Sequence, residues 1–143
     1  MITVEKIANG TVIDHITASR GKKILSLLGI GEDYPHRVAL MMNMPSKKMG
    51  KKDIVKIEGI SVDEEHANLI ALLSQNATVN IVKNEKVVKK FNANLPQRLR
   101  IGKCPNPNCI TASERGNEEF NKEEGELYRC AYCERLFNGN ELV

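Results

Sequence analysis

The chain has 143 residues, of which 41% are hydrophobic and 27% charged, and its formal net charge is +3. This balance is typical of a globular protein and excludes a disordered or fibrous chain. The longest apolar runs, such as residues 38–42, are far shorter than the roughly 20 residues that a bilayer crossing requires, and residues 1–10 lack the pattern of a signal peptide. We therefore expect a cytoplasmic protein that does not contact a membrane.

The start of the chain predicts a strand followed by a helix. Residues 2–7 and 10–16 are β-branched runs separated by the turn pair Asn9-Gly10. Apolar residues then recur at helical spacing over 24–28, and Gly29 stands where a helix would end.

Two further strands are predicted next. Residues 37–44 read as a mostly buried strand that Pro45 terminates, because proline cannot donate to a strand ladder. The lysine-rich stretch 46–52 predicts a mobile, solvated loop. Residues 53–58 then alternate between apolar and charged side chains, as a strand with one wet face does.

The following segment predicts a second helix and a hairpin. Ser61 and Glu64 have the spacing of a capping box, which predicts a helix that runs to about residue 73. Residues 77–82 and 85–91 predict two strands joined across Lys83-Asn84.

This order of elements predicts an α+β protein with two domains. Residues 1–95 read as a ferredoxin-like α/β sandwich, with an antiparallel sheet and two helices on one face. Residues 96–143 contain few large apolar side chains and all four cysteines, and predict a small all-β domain that resembles a zinc ribbon. Residues 1–99 hold 15 Lys/Arg against 10 Asp/Glu, whereas 100–143 hold 6 against 8, so we expect the two parts to meet different partners.

The cysteines are the strongest chemical signal. Cys104 and Cys109 are followed, 20 residues later, by Cys130 and Cys133. Two close pairs on separate turns can surround one zinc ion tetrahedrally, and four protein ligands leave no open position for water or substrate. Two disulfides, or iron on the same thiolates, remain as alternatives. The polar stretch 113–126 between the pairs predicts a surface excursion.

Other candidate residues are weaker signals. Asp14 and His15 are neighbours, but alternate residues of a strand face opposite sides, so adjacency alone does not give them a shared site. Lys56 and Lys90 each come from a predicted strand, and a sheet could direct both at one polyanion such as a phosphate chain. No P-loop, dinucleotide fingerprint or nucleophile elbow occurs in the sequence.

Several short segments, in chain order, resemble the regulatory chain of aspartate carbamoyltransferase. They are GTVIDHI at 10–16, NMPS at 43–46, MGKKD at 49–53, KIE at 56–58, ATVN at 77–80, CPNPNCI at 104–110 and CAYCE at 130–134. The main alternative class is a zinc-ribbon factor that binds nucleic acid. Its zinc module would be expected to carry basic charge and exposed aromatic residues, whereas this one is acidic.

The resemblance implies a regulatory subunit that is not itself an enzyme. Its N-terminal domain would form a dimer and bind ATP, CTP or UTP, and its zinc domain would dock on the catalytic chain and tie catalytic trimers together in pyrimidine biosynthesis. By position, Asp14 and His15 resemble ribose and phosphate contacts, Lys56 the lysine that reaches the base and sugar, and Lys90 the lysine that meets the phosphates. The other positions that would line the nucleotide pocket are Val4, Glu5, Lys6, Ile7, Val12, Ile54, Asn80 and Val87.

Overall fold

Backbone contacts divide the chain into two units, Met1–Asn94 and Leu95–Val143. The structure is a computed structural model that describes residues 7–100 and 102–143. Within those residues, no helix is long and apolar enough to cross a membrane.

The first unit is an antiparallel five-stranded sheet with two helices. The strands lie in the order β2-β3-β1-β4-β5, so the first and third strands of the chain are neighbours at its centre. This is the predicted ferredoxin-like arrangement with one added edge strand, and the prediction is confirmed. The elements are β1 (Gly10–Thr17), α1 (Gly21–Leu27), β2 (Val38–Ser46), β3 (Gly50–Glu58), α2 (Glu64–Leu73), β4 (Thr78–Lys83) and β5 (Lys86–Asn92).

One side of the central strands supplies the core of this unit. Ile13 is paired with both Val55 and Val79, and none of the three exposes any surface. Paired residues of neighbouring strands project to the same side of a sheet, so these form a continuous apolar row. The fully buried helix residues Ile24 and Ile70 complete this core.

A buried carboxylate fixes the start of α1. Asp53 of β3 exposes no surface, and its Oδ2 accepts hydrogen bonds from the backbone N–H groups of Ser19 (3.1 Å) and Gly21 (3.0 Å). Its Oδ1 accepts from the N–H of Asn43, a residue of β2 with a φ of 58° (2.9 Å). A Cβ at Gly21 would lie 2.7 Å from Leu40 Cδ1 and 3.0 Å from Asp53 Oδ2, so a larger residue here would displace these side chains. Asp53 thus holds β2, β3 and α1 together.

The structure corrects two expectations about β2. Proline does not end the strand, because Pro45 lies within it and is paired with Lys51. The strand is also not mostly buried, since Val38 is 37% and Met42 46% exposed. Both findings have one cause: β2 is at the edge of the sheet, where a missing N–H and a wet face are tolerated. The predicted mobile loop is wrong over its second half, because Gly50, Lys51 and Lys52 belong to β3.

The caps and turns also differ in detail. The N-cap of α2 is Asp63, whose carboxylate accepts from the N–H of His66 at 2.8 Å, so the predicted capping box at Ser61 is wrong. The hairpin prediction is confirmed, but its turn is centred on Asn84 and Glu85, with φ values of 51° and 65°. Two successive positive φ values are typical of the tight turns that match strand twist.

The second unit is an antiparallel meander of four short strands in the order β6-β7-β8-β9. Phe120 and Tyr128 expose no surface and, with Leu99 and Leu142, form its small core. The Tyr128 hydroxyl donates to the Pro96 carbonyl at 2.6 Å, and burial raises the pKa of Tyr128 to about 12. The elements are β6 (Arg98–Leu99), β7 (Phe120–Lys122), β8 (Leu127–Cys130), β9 (Leu136–Asn138) and short 3₁₀ helices at Ile110–Ala112 and Gly139–Leu142.

The stretch between the cysteine pairs is only in part a surface excursion. Residues 113–117 are mostly exposed, but Phe120 begins β7 and pairs with Cys130, a predicted metal ligand. The single aromatic residue of this polar stretch therefore anchors it to the core. The polar composition of the other residues gave no sign of this contact.

Candidate functional site

The four cysteines come from two loops that the small sheet brings together. Cys104 follows β6, and Cys109 directly precedes the 3₁₀ helix Ile110–Ala112. Cys130 ends β8, and Cys133 lies in the turn before β9. The first loop is tightened by the Asn106 carbonyl, which accepts from the Cys109 N–H at 3.1 Å. In the second loop the Cys130 carbonyl accepts from the N–H of Glu134 at 3.0 Å, with Glu134 at a φ of 62°.

The sulfur atoms have the spacing of a tetrahedral metal site. All four Sγ atoms lie within 4.8 Å of one another. Cys104 Sγ is 3.7 Å from Cys133 Sγ, and Cys109 Sγ is 3.8 Å from Cys130 Sγ. A zinc ion with bonds of about 2.3 Å to four tetrahedral sulfurs would separate them by about 3.8 Å. The residues therefore fit one ion, and a set of four thiolates is typical of zinc.

The surroundings of the sulfurs favour a structural site. Cys104, Cys109 and Cys130 are at most 5% exposed. The Thr111 hydroxyl donates to Cys109 Sγ at 3.1 Å and lowers the pKa of Cys109 to about 7, whereas burial raises the pKa of Cys104 to about 12. Four thiolates this close together, three of them buried, need a cation to offset their repulsion. When bound, zinc would supply that charge and would link the two loops.

A second candidate site lies on the open side of the first unit's sheet. Val12 of β1 is paired with Lys56 on one side and with Asn80 on the other, and Asn80 is in turn paired with Lys90. These four residues form a lateral row on the side opposite the Ile13 row. The Asn80 side-chain amide donates to the Val12 carbonyl at 3.3 Å. Within the described ranges 7–100 and 102–143, neither the Lys56 nor the Lys90 ammonium forms an ion pair.

A shallow depression borders this row at the end nearest the β4–β5 turn. Its volume is about 100 Å³. The floor is aliphatic, and Lys56 and Glu85 are its only charged lining residues among those described. The complete lining is Ile7, Val12, Lys56, Val82, Glu85 and Val87.

At the other end of β1, a β-bulge places a polar pair on the sheet. The register between β1 and β3 shifts between Ile13 and Ile16, and His15 has a φ of 56°. Regular strand alternation therefore does not hold at Asp14 and His15, because both side chains are half-buried and neither enters the core. His15 Nδ1 lies 3.2 Å from Thr78 Oγ1, which adjoins Asp14 across the sheet.

An ion pair organises the same end. Lys52 Nζ lies 3.0 Å from Asp14 Oδ1, which also accepts from the His15 N–H at 2.6 Å. Burial raises the pKa of Asp14, but the hydrogen bonds from Lys52 and His15 outweigh burial, so the net pKa lies below its ordinary value. Asp14 is therefore an anion that is already engaged, and Lys52 shares its charge with it.

The remaining predicted residues are placed as follows. Ile54 is half-buried in β3, two residues before Lys56 and on the same side of the strand. Val87 is paired with Val82 and is 59% exposed. The predicted residues Val4, Glu5 and Lys6 lie outside the described residues.

Three residues beside the predicted ones were missed. Val82 shares its side of β4 with Asn80, so strand alternation could have identified it. Lys52 was assigned to a loop, and its partnership with Asp14 depends on the bulge in β1. Glu85 lies in a turn whose position relative to the depression no sequence pattern indicates.

Comparison with known proteins places both units in one family. A family profile for the allosteric domain of the aspartate carbamoyltransferase regulatory chain matches residues 2–94, and a profile for the metal-binding domain of the same chain matches residues 98–143. The chain is 47% identical to the aspartate carbamoyltransferase regulatory chain of Pyrococcus furiosus, over 99% of this chain and 96% of that protein. It is 44% identical to that of Thermococcus kodakarensis, over 99% and 95% of the two chains.

These matches, the sandwich and the cysteine cluster define a two-domain allosteric subunit with a metal-binding domain, a non-catalytic class of protein. The chain belongs to the family of aspartate carbamoyltransferase regulatory chains. The resemblance seen in the sequence and the prediction of one bound metal ion are thereby confirmed.

Proposed function

We propose that the N-terminal domain, residues 1–95, binds nucleoside triphosphates on the open side of its sheet, and that the zinc domain, residues 96–143, docks on the catalytic chain of aspartate carbamoyltransferase. The observation that carries the first part is the lateral row with two lysines that form no ion pair among the described residues, next to an apolar depression. Unpaired cations beside an apolar surface suit a ligand that is flat at one end and anionic at the other.

The depression is suited to the base of the nucleotide. Its aliphatic lining from Val12, Val82 and Val87 offers a surface on which a planar ring can pack. Lys56 borders the depression and would reach the base and the sugar. The depression is shallow and open, so we expect bases of different size to be accommodated.

The phosphates would extend along β4 away from the depression. Residues on the same side of β4 run from Val82 past Asn80 to Thr78, a span of about 14 Å over four residue-to-residue steps. Lys90 lies across from Asn80, and His15 and Lys52 lie at the far end. Lysine acts on phosphate as a point charge, and a chain of phosphates could be neutralised in steps along this path.

The zinc domain would serve as the connection to the enzyme. Four protein ligands leave no open metal position, so the ion shapes a surface and takes no part in a reaction. Docked on catalytic chains, and paired through the N-terminal domains as a dimer, the chain would tie catalytic trimers together in pyrimidine biosynthesis in the cytoplasm. Nucleotides would then act by binding two states of the assembly unequally, with a typical coupling of about 1 to 3 kcal/mol.

Calorimetric titration of the zinc-loaded chain with ATP, CTP and UTP tests the nucleotide site. We expect Lys56→Ala to weaken nucleotide binding about tenfold, because it removes a charge-assisted contact. Lys48→Ala, in the exposed turn between β2 and β3, is the matched control and should leave affinity unchanged. Equal affinities for wild type and Lys56→Ala would contradict the proposed site.

Gel filtration of the chain mixed with the catalytic trimer tests the docking role. We expect a complex that forms with zinc-loaded chain and is lost after chelation. The same samples with labelled RNA provide the contrasting outcome. Binding of RNA without binding of the trimer would favour a zinc-ribbon factor and contradict the proposal.

A further inference from the structure

The 3₁₀ helix Ile110–Ala112 buries a hydroxyl group against the cysteine cluster. Thr111, the middle residue of this helix, is 1% exposed and lies two residues after Cys109. A hydroxyl removed from water requires a hydrogen-bond partner within the protein. Its partner is a sulfur, since Thr111 Oγ1 donates to Cys109 Sγ at 3.1 Å. The burial of Thr111 is therefore tied to the metal site.

The tight turn of the chain explains why this hydroxyl points inward. The Ala112 N–H donates to the Cys109 carbonyl at 2.9 Å, and the turn leaves Ile110 56% exposed while Thr111 is enclosed. A hydroxyl in such a turn commonly donates to a carbonyl of the preceding turn. Ser113 does so, because its Oγ donates to the Ile110 carbonyl at 3.0 Å. The two hydroxyls of this segment thus have different partners, and only that of Thr111 reaches a sulfur.

The side chain of Thr111 adds to a set of backbone donors that all four sulfurs share. Each sulfur receives a hydrogen bond from the backbone N–H two residues further along the chain, at Asn106, Thr111, Tyr132 and Arg135. These donors do not distinguish one ligand from another. Among the residues that the structure describes, Cys109 is the one ligand whose sulfur also accepts from a hydroxyl.

An additional donor matters because of the charge of the site. Four thiolates around one divalent ion leave an excess of negative charge, which is costly to bury. A hydrogen bond to an ionised acceptor is stronger than one between neutral groups. Cys109 is 4% exposed, so solvent is poorly placed to supply such a bond in place of Thr111.

We propose that Thr111 is a positioning residue of the metal site, whose hydroxyl orients the Cys109 thiolate and stabilises its charge, and thereby sets how tightly this unit retains zinc. Thr111 acts through Cys109 and does not itself contact the ion. Hydrogen-bond partners of metal ligands typically contribute about 10- to 100-fold to metal affinity. The inference concerns the metal site alone and holds whether or not the nucleotide site is correct.

The main test is Thr111→Val in the full chain. Valine keeps the branched shape and the backbone N–H to the sulfur, and it removes only the hydroxyl. We expect zinc affinity, measured by competition with a chromophoric chelator, to fall about tenfold. Thr111→Ser retains the hydroxyl and should bind zinc nearly as wild type does. The matched control is Ser113→Ala, which removes a hydroxyl of the same segment that donates to a carbonyl and should leave zinc affinity unchanged.

A cobalt(II)-substituted chain gives a readout that loss of packing alone would not change. The absorption band for charge transfer from sulfur to cobalt depends on the energy of the thiolate electrons, which a hydrogen bond lowers. Thr111→Val should therefore shift this band to longer wavelength. Thr111→Ser and Ser113→Ala should leave it in place.

An unchanged band together with an unchanged zinc affinity in Thr111→Val would overturn the proposal. A similar loss of affinity in Thr111→Val and Thr111→Ser would also overturn it, because the packing of the threonine side chain would then be the cause. Should Thr111→Val fail to take up metal, Thr111→Ser and Thr111→Ala provide the comparison, since both lack the methyl group and only the serine keeps a hydroxyl. Equal zinc affinities in that pair would contradict the role of the hydroxyl.

Discussion

The N-terminal sandwich packs two helices on a sheet and buries long aliphatic rows, whereas the zinc unit has four short strands and a core of few side chains. In the sandwich, apolar contacts specify the fold and engage only one side of the sheet. In the zinc unit, three of the buried side chains are themselves predicted metal ligands. A unit this small lacks the apolar area to fold alone, so its fold and its metal are inseparable.

Metal removal should produce the largest loss of stability, and it should unfold only the zinc unit. A structural zinc site contributes on the order of 10 kcal/mol to folding, and we expect Cys109→Ala or chelation to unfold the zinc unit while the sandwich stays folded. Hydrogen exchange followed by mass spectrometry would report loss of protection over 95–143 and retention in the sandwich. Ser113→Ala, exposed in the same loop region, is the control and should behave as wild type.

One result would contradict the dependence of the zinc unit on its metal. Unchanged protection of β7 and β8 after complete removal of zinc would mean that the small core of Phe120 and Tyr128 suffices by itself.

Asp53→Asn should destabilise the sandwich and leave the zinc unit intact. The carboxylate accepts three backbone hydrogen bonds in a fully buried position, and an amide would turn two donors toward some of these N–H groups. We expect a loss of about 3 kcal/mol in the free energy of unfolding of this unit. Urea unfolding, with hydrogen exchange of β3 as the readout, measures it.

Asp33→Asn serves as the control for Asp53→Asn, since Asp33 is an exposed residue of the loop before β2. A loss of similar size in both variants would show that net charge, and not the buried hydrogen bonds, determines the effect.

The smallest effect concerns acid stability of the sandwich. The pKa of Asp14 in the folded chain lies below its ordinary value of 3.8, so its stabilising contribution is present above about pH 4 and is lost as the pH falls through the lowered pKa. Asp14→Asn should therefore be less stable than wild type at pH 6, and this difference should shrink toward pH 2.5. Amide exchange of Ile13 and Val55 isolates the sandwich from acid release of zinc.

A stability difference between Asp14→Asn and wild type that stays constant from pH 6 to pH 2.5 would contradict the ion pair with Lys52. It would mean that Asp14 contributes through uncharged hydrogen bonds alone.

Much of the fold was predictable because its signals are local. The helix end at Gly29 follows from its positive φ of 75°, and the apolar run in the second half of α2 follows from the burial of residues 69–73. The cysteine cluster was predictable because two close pairs of cysteines at this spacing are typical of zinc ligands. In each case the residues that determine the feature lie in a short segment of the sequence.

The predictions of local structure were wrong where the cause of that structure lies in a distant part of the chain. Pro45 is tolerated because β2 is an edge strand, which depends on the order of all five strands. The pairing of Lys52 with Asp14 depends on a bulge in β1, and no residue of β3, the strand that contains Lys52, indicates that bulge. Asp63 rather than Ser61 caps α2, and both residue types accept equally well, so only the path of the chain decides between them.

The bulge in β1 also allows the polar residues of this strand to change independently of its buried residues. Ile13 and Ile16 both point into the core although they are three residues apart, because two half-buried residues, Asp14 and His15, lie between them. Deletion of one of these two residues would restore the regular two-residue repeat without moving either isoleucine out of the interior. The loss of a single codon would thus remove Asp14 or His15 and leave the apolar core of the sandwich unchanged.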